Sequence, residues 1–129
     1  MELKSVQTEN APAAIGPYSQ AVVARPLVFV SGQLGMDPAT GELVGDDLES
    51  QARQALENVK QILIAAGSRL EQVTAVEVFL TDMGTFLDFN AIYAEFFSAH
   101  KPARAAIEVS ALPKGGCVEV KCTALVSES

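Results

Sequence analysis

The chain has 129 residues, of which 49% are hydrophobic, and nine Lys and Arg against sixteen Asp and Glu give a formal charge of −7. That length supports a real core without disulfides or metal, and that hydrophobic content excludes a disordered chain. The acidic balance argues against a phosphate-tracking surface, since nucleic-acid affinity rests largely on basic neutralisation of the backbone.

No apolar run approaches the length of a membrane span, and Met1-Glu2-Leu3-Lys4 lacks the apolar centre of a signal peptide. The expectation is a cytoplasmic protein that engages neither membrane nor nucleic acid. Cys117 and Cys122 lie five apart in what reads as one strand, so they point to opposite faces and cannot bridge each other. Neither they nor the lone His100 form a metal-ligand cluster, and no phosphate-binding glycine loop is present. No linker or internal repeat divides the chain, which reads as one domain over 1-129.

Residues 1-20 carry Ala11-Pro12 and Gly16-Pro17-Tyr18, signs of an ordered loop, with a short strand near 4-7. Residues 20-25 and 27-33 are β-rich runs flanking Arg25-Pro26 and read as a hairpin or a closely spaced strand pair. Asp46 or Asp47 caps a helix whose apolar positions Leu48, Ala52, Ala55, Leu56, Val59, Ile62, Leu63 and Ala66 follow the 3.6-residue period, and Gly67 stops it.

Residues 73-81 form a third strand, with Thr74, Val76, Val78 and Leu80 on one face and Glu77 on the other. Thr85, with Asp88 three residues on, opens a second helix that buries Phe86, Phe89, Tyr93, Phe96 and Phe97, and His100 and Pro102 close it. Two last strands cover 103-109 and 116-126. The order β, β, β, α, β, α, β, β predicts an α+β fold: one mostly antiparallel sheet with both helices packed on one face.

Arg104 stands in an otherwise small and apolar strand. A guanidinium is always charged and is seldom left unpaired among apolar neighbours, so something anionic is expected to meet it. Two partners remain open, a carboxylate of this protein or a substrate carboxylate. Alternation puts Val118, Val120, Cys122 and Ala124 toward the helices, leaving Cys117, Glu119, Lys121 and Thr123 on the open face. The same reasoning puts Ala105, Ile107 and Val109 toward the core and Arg104, Ala106 and Glu108 opposite, so Arg104 and Glu119 are expected to share the open face.

The segments Gly16-Pro17-Tyr18-Ser19-Gln20-Ala21, Phe29-Val30-Ser31-Gly32-Gln33-Leu34-Gly35, Pro102-Ala103-Arg104-Ala105-Ala106-Ile107-Glu108-Val109 and Leu112-Pro113-Lys114-Gly115-Gly116-Cys117-Val118-Glu119-Val120 together resemble the reactive-intermediate deaminases of the RidA or YjgF type. The resemblance covers nearly the whole chain. It implies a chorismate-mutase-like α+β fold assembled as a homotrimer with clefts between subunits. The implied activity is hydrolysis of 2-imino acids and their enamine tautomers, such as 2-aminoacrylate and 2-iminobutanoate, to 2-oxo acids and ammonia. The substrates would come from pyridoxal-phosphate-dependent dehydratases, and the deaminase itself would use no cofactor or metal.

Carried over residue by residue, the resemblance makes Arg104 the grip on the substrate carboxylate and Glu119 the group that orients or activates water. Tyr18, Ser31 and Asn90 become substrate-lining or supporting groups, Gly32 a place where backbone approaches the ligand, and Ala106 a backbone carbonyl for the substrate nitrogen. Many members have cysteine at the position of Ala106. Each residue also has a plainer reading. Tyr18 serves as a packed turn aromatic, Ser31 satisfies a strand-end backbone group, Asn90 braces a loop, Cys117 is inert beside Glu119, and His100 is a charge at a helix C-terminus. The rival functions are a non-catalytic small-carboxylate sensor using the same clefts, and an endoribonuclease, which the acidic charge disfavours.

Overall fold

The computed structural model describes residues 2-127. Six strands and two α-helices follow one another as β1 (Lys4–Val6), β2 (Ala21–Ala24), β3 (Leu27–Leu34), α1 (Leu48–Ala65), β4 (Val73–Leu80), α2 (Phe86–Phe96), β5 (Ala103–Glu108) and β6 (Val118–Leu125). They form one sheet in the spatial order β1-β2-β3-β6-β4-β5. Every neighbouring pair is antiparallel except β4 with β5. The α+β expectation therefore holds, and no helix among the described residues is long and apolar enough to cross a membrane.

The apolar stripe of α1 produces the packing. Ala52, Ala55, Leu56, Val59, Ile62 and Leu63 are buried against Val28, Val30, Val76, Val78, Val118, Val120 and Ala124 of the sheet. Asp47 caps α1, its carboxylate accepting from the Ser50 N–H at 2.9 Å. Helix α2 adds Phe89 and Ile92 to the same layer, and Phe97, which follows it as C-cap, joins them.

Three local expectations need correction. Thr74 is exposed: the β4–β6 register shifts between Val73 and Ala75, and its hydroxyl donates to the Thr123 carbonyl at 3.0 Å. Thr85 makes no capping bond to α2; a 3-10 turn over Met83–Thr85 precedes the helix, and the Thr85 hydroxyl donates back to the Asp82 carbonyl at 2.7 Å. His100 does not merely follow a helix, because its Nε2 lies 2.6 Å from the Val73 carbonyl at the start of β4.

Buried amides tie loops to this scaffold. Gln20 accepts from the Thr8 N–H at 2.7 Å and donates to the Pro12 carbonyl at 2.8 Å, anchoring the N-terminal loop. Gln51 donates to the Gly45 carbonyl and accepts from the Cys117 N–H, both at 2.8 Å. Asn58 holds the carbonyls of Leu34 and Met36 at 3.1 and 3.0 Å.

At Gly35, β3 meets the α1 backbone so closely that an added Cβ would lie 2.8 Å from the Gln51 carbonyl carbon, and closer to the oxygen and Cα. Backbone on both sides leaves no flexible atom to yield. Gly35→Ala is expected to cost about 1–3 kcal/mol or more by overpacking, read as a lowered urea midpoint at an unchanged m-value. An unchanged midpoint would show that the helix can lift off the strand freely.

Candidate functional site

On the open side of the sheet lies a groove of about 910 Å³ that includes Tyr18, Ser31, Gly32, Phe79, Lys114 and Glu119 in its lining. Its floor comes from an irregularity in β3. The β3–β6 register shifts between Val30 and Gln33, so Ser31 and Gly32 form a bulge next to Glu119, the kind of kink that re-aims side chains beside functional sites. The Ser31 hydroxyl donates to the Ser19 carbonyl at 2.6 Å, and the Ser31 N–H donates to the Gln20 carbonyl at 2.9 Å. Ser31 thus fastens the loop that carries Tyr18, a lining residue of the groove that is 53% exposed.

Gly32 packs directly on the Glu119 carboxyl, and a Cβ there would stand 2.7 Å from the Glu119 Cδ. Glu119 is half-buried beside Phe79, its cross-strand neighbour. Burial pushes its carboxyl above the ordinary glutamate range, and Lys121, which pairs with Glu77 at 3.5 Å, opposes that rise. The result is a carboxylate that holds a proton more readily than an exposed glutamate does.

Arg104 is elsewhere. The parallel register of β4 and β5 sets Arg104 opposite Val76, Ala106 opposite Val78 and Glu108 opposite Leu80, all core-facing partners. Arg104 therefore stands on the helix side of the edge strand, its Cζ 4.6 Å from the Tyr93 ring centroid and 5.4 Å from that of Phe86. The expectation that it shares the open face with Glu119 is wrong. Ile107, expected in the core, is instead on the open face opposite Phe79 and is 50% exposed.

The plainer reading of Arg104 also fails: among the described residues no carboxylate lies within ion-pair distance of its guanidinium. Asn90 lies on the same stripe of α2 between Phe86 and Tyr93, and its Oδ1 is buried without a hydrogen-bond partner among the described residues. The seven sequence-derived residues thus fall into two groups. Tyr18, Ser31, Gly32 and Glu119 line the open groove, while Asn90, Arg104 and Ala106 gather on the helix side at the β5 edge.

Cys117 does not share a face with Glu119. It precedes β6, turns toward α1, and its thiol meets the Gln51 Oε1 at 3.1 Å, with burial raising its pKa. Cys122 is buried in the core and its thiol is pushed up to about 12. Neither is a nucleophile at neutral pH. Sequence reasoning passed over Phe86 and Tyr93 as anything but core, although their spacing on one helical stripe with Asn90 was visible.

Such a chain is an α+β protein with a guanidinium that meets no carboxylate among the described residues and, separately, a half-buried carboxylate in a groove. The family model described as Endoribonuclease L-PSP matches residues 8–126. A RutC family protein of Pyrococcus horikoshii is 52% identical over 117 residues, covering 91% of this chain and 93% of that protein. A Bos taurus protein named 2-iminobutanoate/2-iminopropanoate deaminase is 48% identical over 122 residues, covering 95% and 89%. The crystal structure of Escherichia coli TdcF with bound serine superposes with a TM-score of 0.91 at 41% identity, covering 96% of this chain and 99% of that one. The chain belongs to the Endoribonuclease L-PSP family, the one that includes the RidA and YjgF proteins it resembles in sequence.

Because folding raises the Glu119 pKa, the folded state binds a proton more tightly than the unfolded state does, and ionising Glu119 costs stability as pH rises above the unfolded value. Glu119→Gln removes that cost. The variant is expected to melt higher than wild type at pH 7, with the difference shrinking toward zero as pH falls below about 4. Calorimetry across that range checks it, and a variant less stable than wild type at pH 7 would contradict a desolvated carboxylate.

Proposed function

We propose that this protein hydrolyses small 2-imino acids, and the enamines in equilibrium with them, to 2-oxo acids and ammonia. The observation that carries the reading is Arg104: a guanidinium bedded on two aromatic rings, with its fork unclaimed by any described carboxylate, is suited to bidentate capture of a substrate carboxylate. Relatives named 2-iminobutanoate/2-iminopropanoate deaminase support the same class of substrate.

In this reaction water adds to C2 of the iminium form, R–C(=NH2+)–COO−, and gives its proton to Glu119. Glu119 returns that proton to the amino nitrogen of the resulting carbinolamine, and the C–N bond breaks with its electron pair leaving on nitrogen as ammonia. The hydroxyl proton passes by way of Glu119 to the ammonia, so that ammonium departs and the 2-oxo acid remains. Imines already hydrolyse in water, so positioning supplies most of the acceleration. The carbonyl of Ala106, on the edge strand, serves the nitrogen. The 2-imino acids would come from pyridoxal-phosphate-dependent dehydratases, and no cofactor takes part.

The two groups of residues lie on opposite faces of one sheet, which supports a cleft shared between copies of the chain in a homotrimer. One copy supplies Arg104, Asn90 and Ala106; its neighbour supplies Tyr18, Ser31, Gly32 and Glu119.

Arg104→Ala and Arg104→Lys are both expected to lower kcat/KM for 2-iminobutanoate at least about 100-fold, since lysine keeps the charge but loses the fork. The assay couples the protein to a threonine dehydratase and follows 2-oxobutanoate. Retained activity in either variant would remove the central role given to the guanidinium. Binding of 2-oxobutanoate by wild type without any rate effect would favour a sensor, a reading to which TdcF with bound serine lends some weight as a carboxylate-holding relative.

Sharing of the cleft has its own check. Arg104→Ala and Glu119→Gln chains, each inactive alone, are refolded together in equal amounts. Each cleft then draws its two halves at random, so about one quarter of wild-type activity is expected to return. No recovery would place both residues in one copy's site.

A further inference from the structure

Arg104 is an exposed residue on an edge strand, yet it lies over two rings of α2 and not in solvent. Of those rings Tyr93 is nearer, and it is itself held on both sides. Its centroid is 5.7 Å from that of Phe89 and 4.7 Å from that of Phe97, at interplanar angles of 40° and 34°. Phe89 and Phe97 are core residues, 0% and 4% exposed. The guanidinium thus rests on a surface fixed by the core of the molecule.

The hydroxyl of Tyr93 plays no visible part in this. Its Oη is buried and has no hydrogen-bond partner among the described residues. Burial raises its pKa, with Arg104 opposing, so the ring is neutral at physiological pH. What Tyr93 offers Arg104 is a ring face, and a cation over a ring face keeps its N–H donors free at the edge of the guanidinium plane. An acidic partner in the same place would fix the arginine equally well but would occupy the fork that a ligand needs.

We propose that Tyr93 is a positioning residue: its ring face, aided by Phe86, holds the Arg104 guanidinium in one plane with the donor edge turned out toward an incoming carboxylate. The role rests on Arg104 being the carboxylate anchor. The ring immobilises a long side chain before the ligand arrives, so the ordering cost is not charged against binding. Loss of the ring weakens substrate capture while leaving the hydrolytic step, which belongs to Glu119 and water, nearly unchanged.

The test uses the full chain and 2-iminobutanoate generated in the coupled assay, with kcat and KM measured separately. Tyr93→Leu is expected to raise KM about 5- to 30-fold with kcat within about twofold of wild type. Tyr93→Phe keeps the face and should keep the wild-type KM. In the 15N spectrum the Arg104 Nε–Hε signal, assigned by its loss in Arg104→Lys, should lie upfield of the other three arginines by ring-current shielding and move downfield in Tyr93→Leu. If Tyr93→Leu fails to fold, Phe86→Leu at the margin of the core is expected to raise KM in the same direction.

A folded Tyr93→Leu with wild-type KM overturns the proposal, as does a Tyr93→Phe variant as impaired as Tyr93→Leu, which would assign the effect to the hydroxyl. A lowered kcat at unchanged KM overturns it as well. Arg104→Ala with wild-type KM overturns the anchor itself and the ring's role with it, a result told apart from the others because it appears in the arginine variant.

Discussion

The placement of β6 between β3 and β4 is the constraint on which the rest depends. The last strand of the chain enters the middle of the sheet, where its hydrogen bonds join the β1-β2-β3 half to the β4-β5 half. Its alternation is strict, with Val118, Val120, Cys122 and Ala124 buried, and a one-residue slip would turn all four to the open side. That penalty locks Glu119 on the open face. It also fixes the reference row, Val76, Val78 and Leu80 of β4, from which the direction of every β5 side chain follows.

The contrast between β6 and β5 shows where sequence periodicity carries information. In β6 the buried positions are uniformly apolar and the outward ones include Glu119, Lys121 and Thr123, so the faces are readable from sequence alone. In β5 the residues Ala103, Ala105 and Ala106 give no hydrophobic contrast, and Ile107, the one large apolar residue, suggested a core face. The parallel ladder to β4 decides otherwise. The core-side slot at Arg104 is filled by a guanidinium lying on rings, and an aromatic bed makes tolerable what a purely aliphatic one would not. Period-2 reasoning has no way to anticipate that without knowing which helix lies above the strand.

Other parts of the site were legible for different reasons. The α1 stripe and an aspartate cap rest on local physics and read directly from the sequence, although only the structure chooses Asp47 over Asp46. Arg104 and Glu119 stood out by residue chemistry and strand alternation, and the other five candidate residues came through the resemblance, which specifies types and spacing but not faces. What stayed hidden is long-range. Gln51 reaches Gly45 and Cys117, and Asn58 reaches Leu34 and Met36, across separations that no local pattern encodes. These amides offset their own burial by satisfying loop backbone groups, and Gln51 meets Cys117 on the α1 side.

The separation of Arg104 from Glu119 has an electrostatic logic. Side by side on one face, with half-buried surroundings, a guanidinium and a carboxylate would pair, lowering the carboxylate's pKa and closing the fork. Neither group would then be ready for a ligand. Placed on opposite faces, Glu119 keeps a pKa raised by burial and Arg104 keeps a face-only contact that spends none of its donors. In the proposed shared cleft, a substrate carboxylate would be the counter-ion that completes the charge balance. Within one copy, the sheet keeps the guanidinium and the carboxylate apart.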